Sequence, residues 1–304
     1  MNALSLPSSF ETRVRRGEPM SKHTSWHVGG PAELFFTPLD VADVSAFLQS
    51  LQPGTPVMWI GLGSNLLVRD GGIRGAVIET HGVFDELERR SDNEVWCGSG
   101  VACAKLAKQC IKWGLGPAEF FAGIPGTLGG ALAMNAGAFG GETWRHVVSV
   151  VVVDRNGVRR ERPASDYTVG YRHVAGASHN LSDEWFLGAV LRFEARPGVS
   201  NDDIKQLLAR RKATQPIQEW SCGSVFTNPQ GDHAARLIEA SGLKGHRIGG
   251  ARVSEMHANF IVNDGSARAA DIEQLIRHVQ QTVEQKHGVR LNTEVRIVGE
   301  VSHE

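Results

Sequence analysis

Five stretches of helical spacing and six short apolar runs organise this chain. Val44, Phe47, Leu48 and Leu51 share one face of a helix over Val41–Leu51, with Asp40 where a cap belongs. Ala102, Leu106, Cys110 and Trp113 mark a second helix over Ala102–Trp113, stopped by Gly114. Val57–Ile60, running into Gly61, reads as a buried strand. Gly75–Glu79, Glu94–Cys97, Val147–Asp154 and Trp185–Glu194 read as further strands. Beyond Pro197 the texture changes. A helix over Asn201–Ala213 turns Ile204, Leu207 and Leu208 inward, and a short one over Ala234–Ser241 ends at Gly242. The longest, Arg268–His287, carries Ile272, Leu275, Ile276, Val279 and Val283 on one face, with Gly288 past its end. A final strand, Val289–Val298, follows. Helices do not alternate regularly with strands, so the fold class is α+β, and Arg196-Pro-Gly198 punctuates a domain boundary.

The 304 residues suit about two or three domains, and 41% hydrophobic content supplies a sizeable core. A net charge of −1 offers no field to gather DNA or RNA. Met1–Met20 is polar, without a signal-peptide core. The longest aliphatic run, Val147–Val153, is too short to span a bilayer. Neither a nucleic-acid nor a membrane partner is expected, and no obligate protein partner is evident. Cys97, Cys103, Cys110 and Cys222 form no Cys-x-x-Cys pair, which points to a reducing cytoplasm rather than to disulfides or zinc. Cys222 reads as a small packed residue or as a reactive thiol. His23 and His27 have metal-ligand spacing but no accompanying glutamate, and read as structural or surface residues; no metal is expected.

Glycine is the excess: 35 residues, against a usual level of about 7%. There is no hydrolase elbow, no P-loop and no Gly-x-Gly-x-x-Gly. Two glycine-rich segments remain. Gly61-Leu-Gly-Ser-Asn-Leu-Leu-Val68 reads equally as a nest for a phosphate or as a tight turn with local side-chain bonds. Phe121–Glu142 holds seven glycines and five alanines. It reads as bare backbone against a large flat ligand, or as a tightly packed crossing of small residues. Together the two argue for a large phosphorylated cofactor.

Three polar points stand apart. Arg172 follows Gly170-Tyr171 past a turn, Ser224 follows Gly223 in a bend, and Glu294 shares a strand face with Arg296 and Val298. Singly, each also reads as an ordinary surface or turn residue.

In combination these motifs resemble the UDP-N-acetylenolpyruvoylglucosamine reductases. The segments are Thr24-Ser-Trp-His-Val-Gly-Gly-Pro-Ala32, Gly61-Leu-Gly-Ser-Asn65, Gly123-Ile-Pro-Gly126, Met134-Asn-Ala-Gly137, Gly223-Ser-Val-Phe226 with Asn228-Pro229, and Thr293-Glu-Val-Arg296. They run in family order along nearly the whole chain.

The resemblance implies a vanillyl-alcohol-oxidase-type FAD domain of two lobes, 1–78 and 79–196, and a C-terminal α+β UDP-sugar domain, 197–294, with strand 295–304 returning to the first lobe. It implies non-covalent FAD held by Gly61, Gly63, Ser64, Asn65, Leu66, Gly123, Ile124, Pro125, Gly126, Asn135, Ala136 and Gly137, and NADPH as reductant. The activity implied is reduction of UDP-N-acetylglucosamine enolpyruvate to UDP-N-acetylmuramate for peptidoglycan, in the cytoplasm. Arg172, Ser224 and Glu294 fall on the family's catalytic positions. Asn228, His257 and Arg296 fall on or near substrate contacts, and Arg211 is a weaker candidate. Thr227 stands where a lysine is usual, and His173-Val174 where a small polar pair is usual. Only 13 residues separate Arg172 from Phe186, so the chain resembles the subgroup without the tyrosine-bearing insertion. The rivals are another FAD oxidoreductase of the same domain family, such as an alcohol or lactone oxidase, and a nucleotide-sugar binding module without activity.

Overall fold

The computed structural model describes residues 6–177 and 180–302. It divides into two compact units. One holds the chain up to Arg15, Phe35–Gly61 and Gly75–Ala209; the other holds Arg16–Leu34, Leu62–Arg74 and Arg210–Glu304.

In the first unit, Asp40 caps helix α1 (Val41–Ser50) by accepting the Asp43 N–H at 2.8 Å. Val44, Phe47 and Leu48 are its buried face, and Phe47 stacks on Phe36 at 3.9 Å. Val57–Ile60 pairs in parallel with Ile73–Glu79, but only Ile60 is buried. This corrects the expectation of a buried strand. The strand ends a four-stranded sheet, and its Trp59 stacks on Trp185 at 5.6 Å.

An antiparallel five-stranded sheet follows, in the spatial order Arg159–Pro163, Val147–Asp154, Glu184–Arg192, Glu94–Gly98, Leu87–Arg89. The Trp185–Glu194 run ends earlier than expected, at Arg192; Glu194–Ala195 turns away to pair with Leu115–Gly116. Helix α2 (Cys103–Lys112) buries Cys103, Leu106, Ala107, Cys110 and Ile111. Helix α3 (Leu128–Met134) packs on the strands Glu184–Arg192 and Glu94–Gly98. Helix α4 (Asn201–Thr214) corrects a second expectation. Only Ile204 is buried, and Leu208 is 36% exposed, because acids and bases occupy most of its remaining turns.

The second unit is built on helix α5 (Ala234–Ala240) and helix α6 (Ala269–His287). Ile272, Leu275, Ile276, Val279 and Val283 of α6 share a core with Leu237 and Ile238 of α5. Each such side chain contributes about 1.5–3 kcal/mol on burial. Arg268 precedes α6, and its guanidinium is no acceptor for the helix start. The Asp70 carboxylate supplies one, taking the Ala269 and Ala270 N–H groups at 3.0 and 2.9 Å. Three short antiparallel strands, Arg247–Ile248, Ala251–Val253 and Ile261–Asn263, lie against this pair. The final strand is far shorter than its apolar pattern predicts. Only Arg296–Val298 is a strand, parallel to Leu66–Val68. The preceding residues are held by single bonds, such as Gln280 to the Leu291 carbonyl at 2.9 Å, rather than by a ladder.

No helix among the described residues is long and apolar enough to cross a membrane.

Candidate active site

In the first unit the two glycine-rich segments meet. A Cβ on Gly61 would lie 2.4 Å from Thr127 Oγ1, so only bare backbone fits there. Thr127 Oγ1 is buried and makes no hydrogen bond, and neither does the Ser99 hydroxyl, whose Cβ a side chain on Gly129 would meet at 3.0 Å. A buried hydroxyl without a partner is costly. Two of them beside close-approaching main chain fit a phosphate-bearing ligand. Small residues also pack closely here, though not as a crossing of helices. Gly123, Gly137 and Gly141 sit where a Cβ would strike Phe139, the Gly141 carbonyl and Phe120. Gly123, Ile124 and Ala136 are buried, whereas Pro125 is exposed and Gly126 half-buried.

Arg172 stands on the same unit. Tyr167–Gly170 and His173–Gly176 form an antiparallel hairpin with Gly170 opposite His173, so Tyr171 and Arg172 are its tip. Arg172 has φ +53°, uncommon for a residue other than glycine and held here under constraint. The constraint is visible. Its guanidinium donates to the Asn135 carbonyl at 3.2 Å and the Gly137 carbonyl at 3.1 Å. The Met134–Gly137 motif, read from sequence as a cofactor loop, also holds the arginine.

In the second unit, Gly63 has φ +59°, and a Cβ on it would lie 1.9 Å from the His23 carbonyl oxygen. Backbone on backbone leaves nothing flexible to yield. Gly63→Ala is expected to cost about 3 kcal/mol, read as a lower urea midpoint at unchanged slope; an unmoved midpoint would show that the loop relaxes. Ser64 is half-buried and Leu66 buried. Asn65 donates from Nδ2 to the Glu294 carbonyl at 3.0 Å and accepts the Arg296 N–H at 3.1 Å.

Ser224 and Glu294 come together on this unit. Gly223, at φ +74°, makes the bend before Ser224. The next carbonyl, that of Val225, accepts both the Glu294 N–H (2.8 Å) and the Val295 N–H (3.3 Å). Phe226 bridges Thr293, and Thr227 N–H donates to the Asn292 carbonyl at 3.0 Å. Both side chains are half-buried. The support that sequence reasoning missed is Asn259, 4% exposed. Its Oδ1 takes the Phe226 N–H at 3.0 Å, its Nδ2 donates to the Phe226 carbonyl at 2.8 Å, and its own carbonyl takes the Val225 N–H. A lone amide inside Ala258-Asn-Phe-Ile-Val262 was the signal available.

Of the remaining candidates, Asn228 is exposed and caps α5 through the Ala234 N–H at 3.1 Å. His257 is half-buried, and its Nδ1 accepts the Asn259 N–H at 3.3 Å; burial pushes its pKa down, favouring the neutral ring. Arg211 is half-buried beside Gln215 (2.9 Å), and burial lowers its pKa too. Arg296 is exposed. Cys222 is not a reactive thiol: it is buried against the Gly63 and Leu66 carbonyls, and desolvation pushes it to about 12. His23 pairs with Glu18 at 3.0 Å and His27 packs on Trp220 at 4.5 Å, so the two do not form a metal pair. No metal-ligating cluster occurs among the described residues.

Residues 32–161 match the FAD binding domain model, and residues 215–298 match that of the UDP-N-acetylenolpyruvoylglucosamine reductase C-terminal domain. The chain is 58% identical over 290 residues to the UDP-N-acetylenolpyruvoylglucosamine reductase of Alkalilimnicola ehrlichii, covering 94% of this chain and 95% of that protein. The chain belongs to the UDP-N-acetylenolpyruvoylglucosamine reductase family. The reductase of Nitrosococcus oceani is 55% identical over 288 residues, 94% of this chain and 95% of its own length. The crystal structure of the Thermus caldophilus family member superposes with a TM-score of 0.80 at 31% identity, over 94% of this chain and 98% of that one. The family carries the FAD domain and the C-terminal domain on one α+β chain, as the motifs implied.

Proposed function

We propose that this protein reduces UDP-N-acetylglucosamine enolpyruvate to UDP-N-acetylmuramate with NADPH and FAD, using Arg172, Ser224 and Glu294 on the substrate. The observation that carries the assignment is the Val225 carbonyl, whose bond to the Glu294 N–H sets an alcohol and a carboxyl group on adjoining segments. Bound FAD would supply hydride chemistry at the terminal methylene carbon of the enol ether, with NADPH as the source of the electrons. Every other duty falls to side chains. Arg172 neutralises the charge that grows on the substrate carboxylate as the neighbouring carbon becomes carbanion-like. Ser224 gives that carbon its proton. An alcohol is a weak acid, but an enediolate is basic enough to take its proton. Glu294, as the neutral acid, hydrogen-bonds the same enediolate.

Gly61, Gly63, Ser64, Asn65, Leu66, Gly123–Gly126, Asn135, Ala136 and Gly137 are the residues assigned to FAD. Asn228, His257, Arg296 and Arg211 serve the sugar nucleotide. We assign 1–78 and 79–196 to the FAD lobes and 197–294 to the substrate domain, with 295–304 rejoining the first lobe. A cytoplasmic setting agrees with four free, buried cysteines.

The test is turnover. NADPH should be consumed only when the enolpyruvyl nucleotide is added, with a product heavier by two hydrogen atoms. NADPH consumption that instead tracks oxygen, with peroxide formed and the nucleotide unchanged, would favour the oxidase reading.

A further inference from the structure

The geometry points to Asn135 as the residue that positions Arg172. This rests on the reading of Arg172 as catalytic.

Asn135 ends α3 in the left-handed conformation, φ +46° and ψ 55°. Glycine is the usual residue for such a position, and asparagine a tolerated second. Conformation alone therefore does not explain the side chain. Asn135 is 2% exposed, and its amide is spent on two distant backbones. Nδ2 donates to the Gly170 carbonyl at 3.0 Å, at the shoulder of the arginine hairpin. Oδ1 accepts the Trp144 N–H at 3.1 Å. Trp144 is itself fixed, its indole N–H donating to the Leu132 carbonyl at 2.8 Å inside α3. Meanwhile the Asn135 main-chain carbonyl accepts the Arg172 guanidinium, and so does that of Gly137.

One residue thus grips the arginine at both ends. Its side chain fixes the strand from which the hairpin tip starts, and its carbonyl fixes the cation. This constrains a φ of +53° at a residue that does not favour it. A planar guanidinium aimed at a growing carboxylate charge needs that control, because a misplacement of about 1 Å costs on the order of 100-fold. Asn135 touches no reacting atom on this account; it acts through Arg172.

Two single-turnover rates decide the matter: loss of yellow colour on NADPH, and its return on UDP-N-acetylglucosamine enolpyruvate. They are measured in the wild type, Asn135→Gly, Arg172→Ala and the double variant, each loaded with FAD. Glycine keeps the backbone conformation and the carbonyl and removes only the amide. Asn135→Gly is expected to slow the return about 10- to 100-fold more than the NADPH step and to add nothing in the Arg172→Ala background. Equal loss in both steps, released FAD, or a loss that multiplies with that of Arg172→Ala would overturn the inference. If Arg172→Ala itself leaves the return unchanged, the reading of the arginine fails first and is seen to fail separately. Should Asn135→Gly not fold, Asn135→Asp decides on the same readings. It keeps the size and the bond to Trp144 and replaces the donor to Gly170 with a carboxylate oxygen that repels that carbonyl.

Discussion

Ser224→Ala is expected to leave the reduction step with NADPH nearly intact and to slow the substrate half-reaction by about 100- to 10,000-fold. The magnitude follows from what is removed. Hydride addition alone leaves a strongly basic carbon, and without a positioned proton the step waits on water. The substitution costs little elsewhere. Ser224 is half-buried, and the bend at Gly223 and the Val225 and Asn259 bonds are made by other groups. Stopped-flow absorbance separates the two steps. Equal slowing of both would refute the proton-donor role and point to a damaged fold or lost FAD.

Arg172→Ala is the second large effect, about 100- to 1,000-fold in the same half-reaction. A fixed cation stabilises charge without reorganising, and this one is fixed by two carbonyls at 3.2 and 3.1 Å. Arg172→Lys sharpens the test. An ammonium keeps the charge but cannot span both carbonyls with a planar fork. Lysine is expected to recover part of the lost rate and not all of it. Full recovery would mean that charge alone matters; none would mean that orientation is everything.

Local features of the fold were readable where the signal is local. Helix α1 shows its cap and its face within twelve residues, and α6 shows an unbroken apolar stripe and a terminal glycine at φ +67°. What caps α6 was not readable, because Asp70 arrives from 199 residues away. Val289–Val298 has strand composition throughout, yet only Arg296–Val298 finds a partner strand. Apolar content marks burial and does not say which burial is paired. The same limit governs the site. Ser224, Glu294 and Arg172 were legible as motif positions, and no spacing rule brings Val225 to Glu294. Asn259 hid in an apolar run, and the bonds that Asn135 makes to Gly170 and Trp144 left no mark in its glycine-rich segment. In both, an amide spends its bonds on main chain remote in sequence, which only the folded structure reveals.

The most direct measurement is the visible spectrum of the purified protein, without oxygen, titrated first with NADPH and then with UDP-N-acetylglucosamine enolpyruvate. The account predicts a flavin band that bleaches with the first addition and returns fully with one equivalent of the second. A protein that stays colourless after FAD is added, or a bleached band that the enolpyruvyl nucleotide does not restore, would contradict it.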